Sequence, residues 1–128
     1  MLTLARPRAT ETASRVLVVD DDRSFRRMLA AALDFEGFDV LGVAADGPEG
    51  IAMAASLRPD AIMLDVRMAG LDGLAVGRRI RDNDPAVRLV FLSAYDDQTL
   101  QQEAQDMGAT DFLVKGCRLS EIVDALSR

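Results

Sequence analysis

The chain predicts a doubly wound α/β domain, a five-stranded parallel sheet held between two layers of helix. Three observations carry that expectation. Short apolar runs rich in β-branched residues recur along the chain, segments with apolar residues three and four apart lie between them, and the two patterns alternate from Arg15 onward. Strands buried on both faces read as continuous apolar runs, and their alternation with helices implies parallel pairing through crossover connections.

The elements follow in order. Residues 16–19 (VLVV) form the first strand, and Phe25, Met28, Leu29, Ala32 and Leu33 then make one apolar helix face, with Arg26 and Arg27 pointing elsewhere. Residues 39–43 (DVLGV) form the second strand. Asp46 offers an N-cap and Pro48 an early helical proline ahead of Ile51, Met53 and Ala54. Residues 61–64 (AIML) are the third strand, followed by a stripe of Leu74, Gly77 and Ile80 that stops near Asn83 and Pro85. Residues 87–92 (VRLVFL) are the fourth, followed by Leu100, Ala104 and Met107 in a helix that Gly108 ends. Residues 112–114 (FLV) are the fifth, and Leu119, Ile122, Val123 and Leu126 form the last helix behind Ser120 as its cap.

Composition narrows the chemistry. The 128 residues include 15 basic and 21 acidic side chains, for a formal charge of −6, with no His, no Trp and one Cys. That length can bury a core without metal or disulfide staples. Without His, the chain cannot run Ser-His-Asp or Cys-His catalysis or build an imidazole zinc site. The acidic balance argues against direct nucleic-acid binding by this domain. Residues 1–14 read as a flexible leader with no secretory apolar core, and residues 15–128 as one domain. No run approaches the roughly 18 apolar residues of a membrane span, and a single cysteine suits a reducing compartment, so a cytoplasmic protein without membrane contact is expected.

In a doubly wound fold, ligands sit at the carboxyl ends of the strands. Asp20, Asp21 and Asp22 follow the first strand, Asp65 ends the third, Ser93 the fourth and Lys115 the fifth. Two carboxylates about 5 Å apart repel by roughly 3 kcal/mol at an effective dielectric of about 20, so a cluster of them calls for a cation. Mg²⁺ takes oxygen ligands and leaves positions open to phosphate. Lys115 supplies a point charge for a phosphoryl group, Ser93 a hydroxyl donor, and a carboxylate beside them a nucleophile. The set is built for phosphoryl transfer to an aspartate.

Residues 16–22 (VLVVDDD), 63–73 (MLDVRMAGLDG), 90–94 (VFLSA) and 108–115 (GATDFLVK) together resemble the receiver domain of two-component response regulators. The resemblance implies the flavodoxin-like, CheY-like three-layer α/β/α sandwich. It implies Asp65 as phospho-acceptor, with Ser93 and Lys115 contacting the phosphoryl group. It implies Mg²⁺ (or Mn²⁺) held by Asp20, Asp21, Asp65 and the backbone carbonyl of Arg67, with Asp20 acting mainly through water. Ser93 and Phe112 take the hydroxyl and aromatic switch positions, whose movement would alter the face made by the fourth helix, fifth strand and fifth helix for partner binding or homodimerisation. The implied donor is a phosphohistidine of a sensor histidine kinase or histidine phosphotransfer protein, with no turnover of an external substrate. Asp22 has no implied role and suits the start of the first helix.

Some positions depart from the family's commonest form. Ala69 and Gly116 stand where proline is usual; a cis bond before a non-proline costs roughly 2.5–4 kcal/mol, so a trans Lys115–Gly116 bond or a reshaped loop is expected. Arg67 and Tyr95 occupy positions that tune water attack on the acyl phosphate, and their size suggests slow self-dephosphorylation. Cys117 reads as an incidental loop thiol, and Arg78, Arg79 and Arg81 as a solvated helix face. Two rivals are a haloacid-dehalogenase-like phosphatase, from Asp20-x-Asp22-x-Ser24, and a pseudo-receiver that keeps the fold but takes no phosphate. The first leaves Asp65 and Lys115 without roles, and the intact acidic, hydroxyl and lysine set argues against the second. No GxxxxGK[ST] or GxGxxG loop is present, so ATP is not the expected direct donor.

Overall fold

The structure, a computed structural model, describes residues 14–68 and 71–128. The remainder of the leader and Ala69 lie outside the described residues. Strand β1 (Arg15–Val19) leads to helix α1 (Arg23–Phe35), then β2 (Asp39–Ala44), α2 (Gly47–Leu57), β3 (Ala61–Asp65), α3 (Gly73–Asn83), β4 (Arg88–Ser93), α4 (Gln98–Asp106), β5 (Asp111–Val114) and α5 (Leu119–Ser127). A two-residue antiparallel ribbon, Arg67–Met68 against Leu71–Asp72, links β3 to α3. All five strands of the main sheet pair in parallel, in the order β2-β1-β3-β4-β5. The predicted fold class is the observed one.

Helix starts follow local chemistry. Asp22, Asp46 and Asp97 stand at the N-caps of α1, α2 and α4, each with its carboxylate accepting backbone N–H groups of the first turn. Asp22 therefore does start the first helix. The last helix corrects the sequence reading: it begins at Leu119, one residue before Ser120. Arg118 is the capping position, and the Glu121 carboxylate accepts the Arg118 N–H at 3.0 Å. A glutamate three residues into the helix thus supplies the contact expected of the serine.

The side chains of each central strand divide between two cores. Leu17, Val19, Ile62, Leu64, Leu89 and Phe91 pack with Leu74 and Ile80 of α3 and Ala104 of α4. Val16, Val18, Met63, Val90 and Leu92 pack with Leu29 and Leu33 of α1 and Ile122, Ala125 and Leu126 of α5. Because successive strand residues face opposite ways and both faces are covered, the strands carry no polar alternation. Each fully buried Leu, Ile or Phe contributes about 1.5–3 kcal/mol, so the two cores are the main stabilising term.

Two side chains depart from the helical pattern. Met28 is 60% exposed, because the apolar face of α1 narrows to Leu29 and Leu33 where it meets the sheet. Arg81 is half-buried, and its guanidinium donates to the carbonyls of Pro85 (2.9 Å) and Gly108 (2.8 Å), tying the end of α3 to the loop before β5. Arg78 and Arg79 are exposed as expected.

The strand order places the site. The chain leaves β1 toward β2 on one side and later returns through β3 on the other. After β1 it passes into α1 on one face of the sheet, and after β3 into α3 on the opposite face. The two connections diverge, leaving a crevice between the ends of β1 and β3.

Candidate functional site

Asp20 and Asp65 stand on the two sides of that crevice, and the structure buries both, at 1% and 4% exposure. Asp21 beside them is exposed. Oxygens of Asp20, Asp21 and Asp65 all lie within 4.8 Å of one another. The pairing of β4 with β3 and β5 brings Ser93 and Lys115 to the same edge, with the Lys115 N–H donating to the Ser93 carbonyl at 2.7 Å. Lys115 Nζ lies 2.8 Å from Asp20 Oδ2 and 3.3 Å from Asp65 Oδ2. The structure thus gathers Asp20 with Asp21, Asp65 and Lys115, from three separate stretches of the chain, in one cluster.

Short-range hydrogen bonds hold the carboxylates in place. Asp20 Oδ1 accepts the N–H of Asp22 at 2.8 Å, and Asp65 Oδ1 accepts that of Arg67 at 3.1 Å. The second oxygen of each carboxylate is left facing Lys115. Ser93 is 2% exposed, and its Oγ accepts the Tyr95 N–H at 3.1 Å. Lys115–Gly116 is a trans bond, with Gly116 at φ 98, a left-handed conformation that a glycine adopts without strain. A loop reshaped around glycine therefore keeps the reach of Lys115 without a cis bond.

Two positions of the site were not legible in the sequence. The helical period points Arg26 away from the core, yet its Nη1 curls back to the carbonyl of Asp20 at 2.9 Å. The same period makes Phe25 a core residue, yet Lys115 Nζ sits 4.6 Å from its ring centroid. The available signal was their place in the first turn of the helix that follows the acidic run. Of the other sequence candidates, Arg67 and Tyr95 have exposed side chains, Tyr95 at 71%. Phe112 lies half-buried against the α3–α4 core. The register sets Phe112 beside Phe91 and Val114 beside Ser93, so Phe112 and Ser93 share a sheet face two residues apart. Cys117 packs against the α1–α5 core, and burial, then Glu121, pushes its thiol pKa up, the opposite of what a reactive thiolate needs.

The electrostatics are unbalanced. Burial and the nearby Asp20 charge push the Asp65 pKa up from 3.8 to about 6, against the pull of Lys115 and the Arg67 N–H. Burial works to lower the Lys115 pKa, but its contacts with Asp20 and Asp65 outweigh it and the ammonium is held above its ordinary value. Asp20 Oδ2 is buried and faces the Lys115 ammonium at 2.8 Å. Three crowded carboxylates, two of them buried, answered by a single ammonium fit a hard divalent cation such as Mg²⁺ or Mn²⁺.

A pH dependence follows. Asp65 binds more proton in the folded chain than in the unfolded chain between about pH 4 and 6, so it makes stability fall as pH rises through that window. In metal-free urea titrations this contribution is expected to reach about 2 kcal/mol by about pH 7. An unfolding free energy that does not respond to Asp65 across that range would contradict it.

Comparison with known proteins agrees with this geometry. Residues 16–127 match the family described as response regulator receiver domain. The response regulator MprA of Mycobacterium avium (strain 104) is 43% identical over 109 residues, which cover 85% of this chain and 47% of that protein. The chain therefore spans about half the length of the curated relatives it matches. The receiver domain of NarL from Mycobacterium tuberculosis superposes with a TM-score of 0.82 at 34% identity, covering 89% of this chain and 93% of that one. CheY of Borrelia burgdorferi, in its complex with CheX, BeF₃ and Mg²⁺, superposes with a TM-score of 0.85 at 26% identity, covering 95% and 96%. Among the described residues no helix is long and apolar enough to cross a membrane. The chain belongs to the response regulator receiver domain family.

Proposed function

We propose that this receiver accepts a phosphoryl group on Asp65 from a phosphohistidine of a partner kinase or phosphotransfer protein. The observation that carries this is the buried Asp65 carboxylate, with Lys115 Nζ 3.3 Å away and two further carboxylates at hand. In the transfer, an Asp65 oxygen attacks phosphorus, the P–O bond forms as the P–N bond breaks, and the departing imidazole takes the electron pair and then a proton. Asp20, Asp21, Asp65 and the Arg67 carbonyl would hold Mg²⁺ or Mn²⁺, which supplies positive charge to the phosphoryl oxygens. Lys115 is already aimed at the acceptor and orients the incoming group. Ser93, whose Oγ accepts the Tyr95 N–H, still has its hydroxyl proton to donate to a phosphoryl oxygen.

Phosphorylation replaces one negative charge at Asp65 by about −1.5 to −2 and adds three acceptor oxygens. Movement of Ser93 toward them frees room on the face it shares with Phe112, which couples the site to α4, β5 and α5. That face would then change its affinity for a partner or a second copy. Arg67 and Tyr95, each two residues past Asp65 or Ser93 and both exposed, would slow the attack of water on the acyl phosphate. Arg67→Ala and Tyr95→Ala are each expected to shorten the phosphoryl lifetime several-fold, and unchanged decay would discard that role.

The test is incubation with acetyl phosphate and Mg²⁺, followed by intact mass and hydrodynamic size. One phosphoryl group per chain, lost on chelation of the metal, is the expected result. Continuous turnover of a generic phosphomonoester would instead indicate a phosphatase. Failure to bind beryllofluoride with Mg²⁺ would indicate a receiver fold without phosphoryl acceptance.

A further inference from the structure

Lys115 is the only lysine in the chain, and its ammonium is held on three sides. Two sides are the carboxylates of Asp20 and Asp65. The third is the ring of Phe25, whose centroid lies 4.6 Å from Nζ, within the range of a cation–π contact. We propose that Phe25 is a positioning residue for phosphoryl transfer: its ring caps the Lys115 ammonium and keeps it over the Asp20–Asp65 pair. The inference rests on Asp65 being the acceptor.

The surroundings show why the ring can do this. A lysine ammonium on a flexible four-carbon stem has many positions open to it, and its side chain here is still 21% exposed. Two carboxylates attract it but leave its outward side to water. Phe25 stands in the first turn of α1, and that turn is laced to the site. The Phe25 N–H donates to Asp22 Oδ1 at 3.1 Å, the Asp22 N–H donates to Asp20 Oδ1 at 2.8 Å, and Arg26 Nη1 reaches the Asp20 carbonyl at 2.9 Å. The ring is thus carried on the same short segment that carries Asp20. It offers the ammonium a negative π face while adding no carboxylate to a cluster already crowded with them. An aliphatic side chain would fill the same space but would offer no such face.

The experiment uses the single lysine as its own reporter. In metal-free protein labelled with ¹⁵N-lysine, the one ammonium resonance gives its rate of hydrogen exchange with solvent. Phosphorylation by acetyl phosphate with Mg²⁺ is followed separately. Phe25→Leu is expected to speed ammonium exchange and slow the initial phosphorylation rate, each by about three-fold, while Phe25→Tyr restores both. Unchanged exchange or an unchanged phosphorylation rate in Phe25→Leu overturns the proposal, as does equal loss in the Leu and Tyr variants. If Phe25→Leu does not fold, Phe25→Met is read by the same two measurements. No incorporation in the native chain would sink the acceptor reading itself. Normal incorporation that ignores Phe25→Leu would sink only the role of the ring.

Discussion

Asp65→Asn should bring phosphoryl incorporation from acetyl phosphate and Mg²⁺ down to background, in the time the native chain takes to reach one group per molecule. The amide keeps the shape of the side chain but lacks a nucleophilic oxygen anion. The same substitution should make the metal-free chain more stable, by about 2 kcal/mol near pH 7, because it removes a charge that burial and Asp20 both disfavour. Lys115 then keeps Asp20 as its partner at 2.8 Å, so no ammonium is stranded. Below about pH 4 the native Asp65 is itself neutral, and the gap between the two proteins should close. Urea titrations at both pH values decide the second point and intact mass the first. Incorporation that survives the substitution would place the acceptor elsewhere. A stability difference independent of pH would mean the Asp65 charge is better compensated than the geometry indicates.

Gly73→Ala should be the most damaging glycine-to-alanine change among the described residues. Gly73 opens α3 and its N–H donates to the Val66 carbonyl at 2.7 Å, which seals the helix start against the segment after Asp65. A Cβ added there would lie 2.5 Å from the Val66 oxygen and closer still to that of Asp65. Those are backbone atoms, so no side chain can swing aside to relieve the overlap. The expected loss is about 3 kcal/mol or more, seen as a drop of about 10 °C in thermal denaturation. Because relief requires the segment carrying Asp65 to move, phosphorylation should fall by about ten-fold or more even in the fraction that stays folded. Native-like melting would show that α3 can shift as a unit without disturbing β3.

How much was legible in advance differs from one residue to the next. The caps by Asp22 and Asp46 were readable because a cap joins residues only a few positions apart. The start of α5 is ambiguous in the sequence because Ser120 and Glu121 both offer capping chemistry, and only the path of the chain after Gly116 selects between them. Arg26 and Phe25 were sorted as outward and inward by helical period alone. In the first turn of a helix, however, both directions can lead back to the preceding strand end. Met28 has an apolar side chain at the right period, but the width of the contact between α1 and the sheet is a property of two elements and leaves it exposed.

The strand and helix order, the parallel sheet and the identity of the polar residues at the strand ends are all present in the order of residues. Local periodicity and short-range capping write those features directly into the chain. How those residues meet depends on the packing of elements remote in the chain. The reversal of strand order between β1 and β3 makes the crevice, parallel register delivers Lys115 to Asp20 and Asp65, and the first turn of α1 sets Phe25 over the ammonium. Burial then raises the Asp65 pKa, an effect that depends on how many atoms exclude water from the carboxylate and so has no signature in residue order.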